Sequence, residues 1–163
     1  MSGPAERLEV RRMQPADLGQ VLEVETACFV HPWSAEAFER ELEHDWSTIL
    51  VAAERTSDPS APGRIVGFLI YWLVHDEIHV LNVATDPPQR RRGAARLLLA
   101  EAERRATAAD CALLTLEVRR SNLGALALYA QLGYERVGMR KGYYEAENED
   151  AIVMTRRLKD RGF

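Results

Sequence analysis

The chain has 163 residues, 47% hydrophobic and 28% charged, with a formal net charge of -4 at pH 7. That length supports one full hydrophobic core, and the composition is that of an ordinary folded domain rather than a disordered chain. The negative balance speaks against nonspecific nucleic-acid binding; no apolar run is long enough to cross a bilayer and MSGPAERLEV lacks a signal-peptide core, so a cytoplasmic protein with no membrane or direct nucleic-acid partner is expected.

After residues 1–6, expected to be flexible, Leu8 to Met13 alternates apolar and charged residues and predicts a short strand. Pro15 opens a stretch in which Leu18, Val21 and Leu22 recur at helical spacing. FVHPWS is expected to be irregular, because Pro32 steers its predecessor away from helical geometry. Ser34 is placed to cap a second helix, SAEAFERELEH, with Phe38 and Leu42 facing inward. STILVAA and IVGFLIYWLV read as strands joined through the turn-forming SDPSAPG, and a turn at Val74 to Glu77 leads into the strand IHVLNVAT. Short polar connections make these strands antiparallel neighbours.

The stretch Asn82 to Ala100, NVATDPPQRRRGAARLLLA, passes from strand through a basic turn into a helix. First-turn N–H groups of a helix lack intrahelical partners, so this arrangement can cradle an anion. Gly93 lets backbone approach a ligand, and the small Ala94 and Ala95 leave the amides uncovered. Arg90, Arg91, Arg92 and Arg96 concentrate positive charge there, which points to a compact anionic ligand; a solvated arginine turn is the alternative. Leu97, Leu98 and Ala102 supply the helix's buried stripe, and CALLTLEV follows as a strand covered on both faces. Strand, helix and strand predict a right-handed crossover with parallel strands, its basic turn at the usual ligand edge.

SNLGALALYAQLG places Leu123, Leu126, Ala127 and Ala130 at i, i+3, i+4 and i+7, a short amphipathic helix ending near Gly133. YERVGM is a strand candidate, KGYYEAENED a polar loop, and AIVMTRRL a terminal strand. No internal repeat interrupts this reading, and residues 1–163 are expected to form a single domain. Cys111 reads as a small core residue, while Cys28 leaves burial, exposure and substrate contact open. Neither the two cysteines nor His31, His44, His75 and His79 show metal-ligand spacing, so no metal is expected.

Arg90-Arg91-Arg92-Gly93-Ala94-Ala95 fits the pattern Gln/Arg-x-x-Gly-x-Gly/Ala. HPWS at His31, LNVAT at Leu81, LEVRRSN at Leu116, ALYAQLGY at Ala127, RKGYY at Arg140 and EDAIVM at Glu149 accompany it. With these motifs the chain resembles the GCN5-related N-acetyltransferase (GNAT) superfamily, and within it the bacterial ribosomal-protein alanine N-acetyltransferases, over nearly its whole length. The resemblance implies an α/β fold, a splayed mixed central sheet flanked by helices, with acetyl-CoA as cosubstrate in the opening. It places the pyrophosphate at Arg91 to Arg96 and the pantetheine arm beside Asn82 to Thr85, so that Val83, Ala84 and Thr85 join the cofactor-binding set.

Acetyl transfer requires an amine to lose its proton, attack the thioester carbonyl and release a thiolate. A free α-amine has a pKa of about 7.7–8.0, so the base need not be strong. Glu117 is the first candidate to accept the proton, directly or through water; solvation, or pairing with Arg119 or Arg120, is the alternative. Glu77 is a second carboxylate for a relay and joins the substrate-binding set. Tyr129, in the ALY match, is the candidate acid for the CoA thiolate, with a core-edge aromatic as the alternative. Asn122 is expected both to cap its helix and to contact the cofactor. A backbone N–H within Asn82 to Thr85 is the candidate donor to the developing oxyanion.

Nothing supports a covalent acetyl-enzyme, so direct attack in a ternary complex is expected. By resemblance, Phe29 and Trp33 in one loop and Tyr143 and Tyr144 in another form the peptide-recognition walls; loop packing is the alternative. The implied acceptor is the N-terminal alanine of ribosomal protein S18, with Glu147, Glu149 and Asp150 attracting basic residues downstream. Three departures from the family pattern are Ala95 for glycine, Gln89 for an aromatic and Thr85 for an apolar residue. The competing functions are a broader protein N-terminal acetyltransferase, a small-amine acetyltransferase and a nonenzymatic acetyl-CoA-binding module.

Overall fold

The computed structural model describes residues 7–58, 60, 63–144 and 148–159; the expected flexible segment 1–6 and Glu147 lie outside them. The elements are β1 (Leu8–Arg12), α1 (Leu18–Cys28), α2 (Ala35–Glu43), β2 (Ser47–Glu54), β3 (Ile65–Val74), β4 (Glu77–Thr85), α3 (Ala94–Ala108), β5 (Leu113–Arg119), α4 (Leu123–Gln131), β6 (Glu135–Tyr144) and β7 (Glu149–Arg157). The strands hydrogen-bond in the order β1-β2-β3-β4-β5-β7-β6. The sheet is mixed: β4 and β5 pair in parallel, while β1–β2, β2–β3, β5–β7 and β6–β7 pair antiparallel. This is the expected α/β architecture, and the chain divides into two compact units, Met1–Trp72 with Asn82–Arg104 and Leu73–Leu81 with Arg105–Phe163.

In the first unit, β1 runs along β2 from Leu8↔Glu54 to Arg12↔Leu50. The chain then turns at Pro15–Asp17, where the buried Asp17 carboxylate accepts from Arg11 Nη1 and Nη2 at 2.7 and 3.0 Å and from the Gln14 amide at 2.7 Å. Helix α1 then buries Val21 and Val24, and α2 buries Phe38, in one apolar cluster with Ile49, Val51, Phe68 and Ile70. Ser34 caps α2 as its sequence position predicts, its Oγ accepting from the Ala37 amide at 3.2 Å. Strands β3 and β4 approach closely at Gly67, where a Cβ would sit 2.7 Å from the Ala84 carbonyl oxygen.

In the second unit the parallel ladder runs from Glu77↔Leu113 to Val80↔Leu116, and β5 continues antiparallel to β7 from Leu113↔Arg157 to Arg119↔Ala151. Its sheet buries Ile78, Val80, Leu114, Leu116 and Val118, alternate positions on one face. Two expectations change here. Helix α4 buries Leu126 and Tyr129, whereas Leu123 is 73% exposed and Ala127 and Ala130 face solvent. Helical spacing identified a stripe, but Leu126 and Tyr129, three apart, bring more apolar area inward than one leucine and two alanines. The second change is that KGYY continues β6 to Tyr144 instead of opening a loop, because β7 offers ladder partners through Tyr144↔Glu149. Its polar composition reflects exposure: Glu135 to Lys141 all face solvent.

Candidate active site

The first unit holds the turn and helix start that the sequence marks as a candidate anion cradle. After β4 the prolines form a tight turn, Pro87–Gln89, and the chain then passes through two left-handed residues, Arg91 (φ 71°) and Gly93 (φ 82°). Left-handed backbone adjoining a helix start turns successive N–H groups toward one concavity, a geometry that binds anions. The first intrahelical bond of α3 is Leu97 N–H to the Gly93 carbonyl at 3.0 Å, which leaves the Ala94 and Ala95 amides ahead of it without intrahelical acceptors. Ala94 is buried and Ala95 half-buried, so neither side chain extends far over the helix end.

The arginines are not equivalent. Arg92 Nη1 donates to Glu54 Oε1 and Gln89 Oε1, both at 2.8 Å, so this guanidinium braces the turn. Arg90 and Arg91 remain exposed, and Arg90 lies near enough to the Cys28 thiol to oppose the upward pKa shift that burial imposes on it. The departure at position 89 thus has a local use: a glutamine carbonyl accepts from the turn's own arginine.

Beside the cradle, the 82–85 segment of β4 is held by the last turn of α1. Cys28 Sγ donates to the Thr85 carbonyl at 3.2 Å, and Asn82 Nδ2 donates to Glu25 Oε1 at 3.1 Å. Val83 and Thr85 are half-buried and Ala84 buried. Glu25, which sequence reasoning passed over, is 1% exposed; its other oxygen, Oε2, accepts from the Trp33 amide at 2.9 Å. Burial raises its pKa, opposed by the Trp33 amide and Asn82. The available signal was a carboxylate one position after Val24 and four after Val21, within the buried stripe of α1. Phe29 and Trp33 are half-buried against the unit's apolar cluster, with the Trp33 and Phe38 rings 5.4 Å apart.

The second unit gathers most of the candidate proton-handling groups. Glu117 Oε1 pairs with Arg140 Nη1 at 2.9 Å, not with Arg119 or Arg120, and Glu117 also hydrogen-bonds the Tyr143 hydroxyl, raising that phenol's pKa. Arg119 instead lies 4.0 Å from the Tyr144 ring centroid and pairs with Glu149, while Arg120 pairs with Asp150 at 3.8 Å. Glu149 and Asp150, expected to face basic peptide residues, therefore already have cationic partners within the chain.

Tyr143 and Tyr144 stand edge to face at 5.0 Å. Burial, with Tyr144 adding electrostatically, pushes the Tyr129 phenol up to about 12; its ring lies 5.7 Å from that of Tyr134. Tyr144 is also pushed up to about 12, by burial first and against the Arg119 charge. Asn122 caps α4, Oδ1 accepting from the Ala125 amide at 3.1 Å. Glu77 Oε2 meets His79 Nε2 at 2.9 Å. Because His79 pairs with Thr115 in the parallel ladder, Glu77, His79, Thr115 and Glu117 share one sheet face.

Among the described residues no group of three or more His, Cys, Asp or Glu is placed to hold a metal ion, and no helix is long and apolar enough to cross a membrane.

Known proteins with similar sequences and structures bear on this arrangement. The Salmonella typhimurium (strain LT2) ribosomal protein bS18-alanine N-acetyltransferase is 31% identical over 144 residues, covering 87% of this chain and 92% of that protein. The N-alpha-acetyltransferase RimI of Mycobacterium tuberculosis (strain H37Rv) is 33% identical over 162 residues, covering 96% of both. The crystal structure of the ribosomal-protein-S18-alanine N-acetyltransferase from Escherichia coli superposes with a TM-score of 0.82 at 29% identity, covering 95% of this chain and 96% of that one. Residues 18–134, which run through both units and include the cradle, match the acetyltransferase (GNAT) family. The chain therefore belongs to the GNAT acetyltransferase family.

Proposed function

We propose that this protein is a cytoplasmic N-α-acetyltransferase that transfers acetyl from acetyl-CoA to the N-terminal alanine of ribosomal protein S18 by direct attack in a ternary complex. The observation that carries the reading is the cradle, two left-handed residues at the start of α3 beside a clamped strand segment, in a chain aligned along most of its length with proteins named for that reaction. The residues fit a diphosphate: amides at Gly93, Ala94, Ala95 and Arg96, with Arg90 and Arg91 supplying positive charge and Arg92 bracing the turn. Val83, Ala84 and Thr85 present strand backbone to the pantetheine amides, and Asn122 and Tyr129 complete the cofactor set. A backbone N–H of the 82–85 segment donates to the thioester oxygen.

Glu117 accepts the amine proton, directly or through water, with the Glu77–His79 pair on the same sheet face as the onward acceptor. Tyr129, with a pKa of about 12, keeps its proton throughout the physiological range. Its hydroxyl serves the departing sulfur as a hydrogen-bond donor. The first unit contributes Phe29 and Trp33 to acceptor recognition and the second contributes Tyr143 and Tyr144, and a first-position alanine presents only a small side chain to them.

The test is a panel of peptides that differ only at the first residue, incubated with acetyl-CoA, with product mass and the acetylated nitrogen determined. The S18-derived Ala peptide is expected to be acetylated on its α-amine with the highest kcat/KM. Exclusive lysine-side-chain modification would sink the N-terminal assignment, equal rates across the panel would favour the broader enzyme, and turnover of small amines alone would favour the third reading. Acetyl-CoA binding without any product would leave a binding module.

A further inference from the structure

The last turn of α1 buries a carboxylate where an apolar side chain would complete the stripe begun by Val21 and Val24. A buried carboxylate is strongly disfavoured unless its oxygens are hydrogen-bonded, so its two partners indicate what it is kept for. They lie in different segments: the Trp33 amide, 8 residues on, reaches Oε2 at 2.9 Å, and the Asn82 amide, 57 residues on, reaches Oε1 at 3.1 Å. Three residues on, at the end of α1, Cys28 grips the other end of the same strand segment through the Thr85 carbonyl. Cys28 holds strand to helix, and Glu25 ties strand, helix and loop together through its hydrogen bonds. The loop's ring contact, Trp33 on Phe38 with Phe38 edge-on to Phe68 at 5.7 Å, packs the indole against the same apolar cluster that holds Ala84, and the hydrogen bonds of Glu25 add a polar tie between loop and strand.

We infer that Glu25 is a positioning residue that sets the acceptor loop 29–34 against the 82–85 segment of β4. The inference rests on the proposed function, in which that loop receives the peptide and that segment the thioester. Its oxygens touch two protein donors, so its effect on acetyl transfer runs through where those donors sit. Glutamine in its place keeps the shape but offers one acceptor oxygen and one NH2, and so serves only one of the two donors.

The experiment combines hydrogen exchange at the Trp33 amide with steady-state kinetics on the Ala-starting peptide. Glu25→Gln is expected to speed Trp33 amide exchange and raise the peptide KM, each by about tenfold or more, the scale of one lost charge-assisted bond, while acetyl-CoA KM stays within about twofold. The double variant Glu25→Gln/Asn82→Asp restores both readouts, since the glutamine NH2 then donates to the new carboxylate and its carbonyl accepts from Trp33. Unchanged Trp33 exchange, parallel shifts in both KM values, or a double variant no better than Glu25→Gln would each overturn the inference. So would a fall in kcat with peptide KM unchanged, which would make Glu25 a proton acceptor.

If Glu25→Gln fails to fold, Asn82→Leu replaces it. Trp33 protection is then expected to persist while peptide KM rises, and equal movement of both KM values overturns the coupling. Failure of the functional reading itself is distinguishable: the unsubstituted protein would then give no α-acetylated peptide, while the exchange result still decides whether Glu25 ties the loop to the strand.

Discussion

Replacing Tyr129 with phenylalanine removes one hydroxyl and keeps the ring that packs 5.7 Å from Tyr134, so the fold is expected to survive. The size of the kinetic effect follows from the phenol's acidity. Against a thiol of pKa about 8.5, a phenol at about 12 would surrender its proton uphill by about 3.5 units, or about 4.8 kcal/mol. Full transfer to sulfur is therefore a poor description of its work. A hydrogen bond to a charged acceptor contributes about 1.5–3 kcal/mol, which corresponds to about 10–150-fold in rate. Tyr129→Phe is expected to lower kcat by that factor, with the KM for acetyl-CoA within about threefold, in a steady-state assay of peptide acetylation. Unchanged kcat would refute the reasoning, as would a break near pH 10 in the parent's pH–rate profile that the variant lacks, since the phenol would then titrate as an ordinary acid.

The same shift predicts a stability effect with a defined sign. The folded phenol is raised above its unfolded value, so the unfolded chain loses its proton first. Stability from this group is complete below pH 10 and declines as pH rises from about 10 toward about 12, by up to about 2.7 kcal/mol, and Tyr129→Phe should lack that decline in alkaline urea titrations.

Other expected outcomes follow from single contacts. Gly93→Ala forces a Cβ into a left-handed conformation at φ 82°. At about 1–2 kcal/mol of strain, CoA affinity measured by calorimetry should weaken about 5–30-fold, and unchanged affinity would remove the cradle. Gly67→Ala brings a Cβ to 2.7 Å from a backbone oxygen and should cost about 1–3 kcal/mol in urea denaturation. Burial opposes ionisation of Asp17, but the Arg11 guanidinium, the Gln14 amide and the Arg11 charge outweigh it and lower the pKa. The stability this contributes is present above pH about 3.9 and lost as pH falls through the folded value. Asp17→Asn should therefore lose about 1–2 kcal/mol at pH 7, reduced by solvent screening at the partly exposed Arg11, and flatten the acid limb; an unaltered acid limb would contradict it. Glu117→Gln should lower kcat about 10²–10⁴-fold, and a larger peptide KM with unchanged kcat would reassign Glu117 to binding.

Local patterns were legible because local physics set them. The caps at Ser34 and Asn122 depend on a side chain reaching an amide three residues on, and both form as the sequence indicates. The parallel β4–β5 crossover likewise follows from strand, helix and strand in succession. The inward face of α4 did not follow from spacing, because several stripes on so short an apolar helix satisfy the same periodicity. Whether KGYY was loop or strand turned on β7, a partner whose register composition does not encode.

The sequence by itself determined the element order, the strand–turn–helix with glycine at its left-handed position, and the motifs shared with the acetyltransferases, since these depend on residues close in the chain. Only tertiary structure decided the charge pairings: Glu117 with Arg140, 23 residues away in number, and Glu25 with Asn82, 57 away. Coulomb and hydrogen-bond energies fall off with distance in space and carry no memory of separation along the chain. A carboxylate's partner, and with it the work that carboxylate can do, is therefore fixed when strands and helices come together.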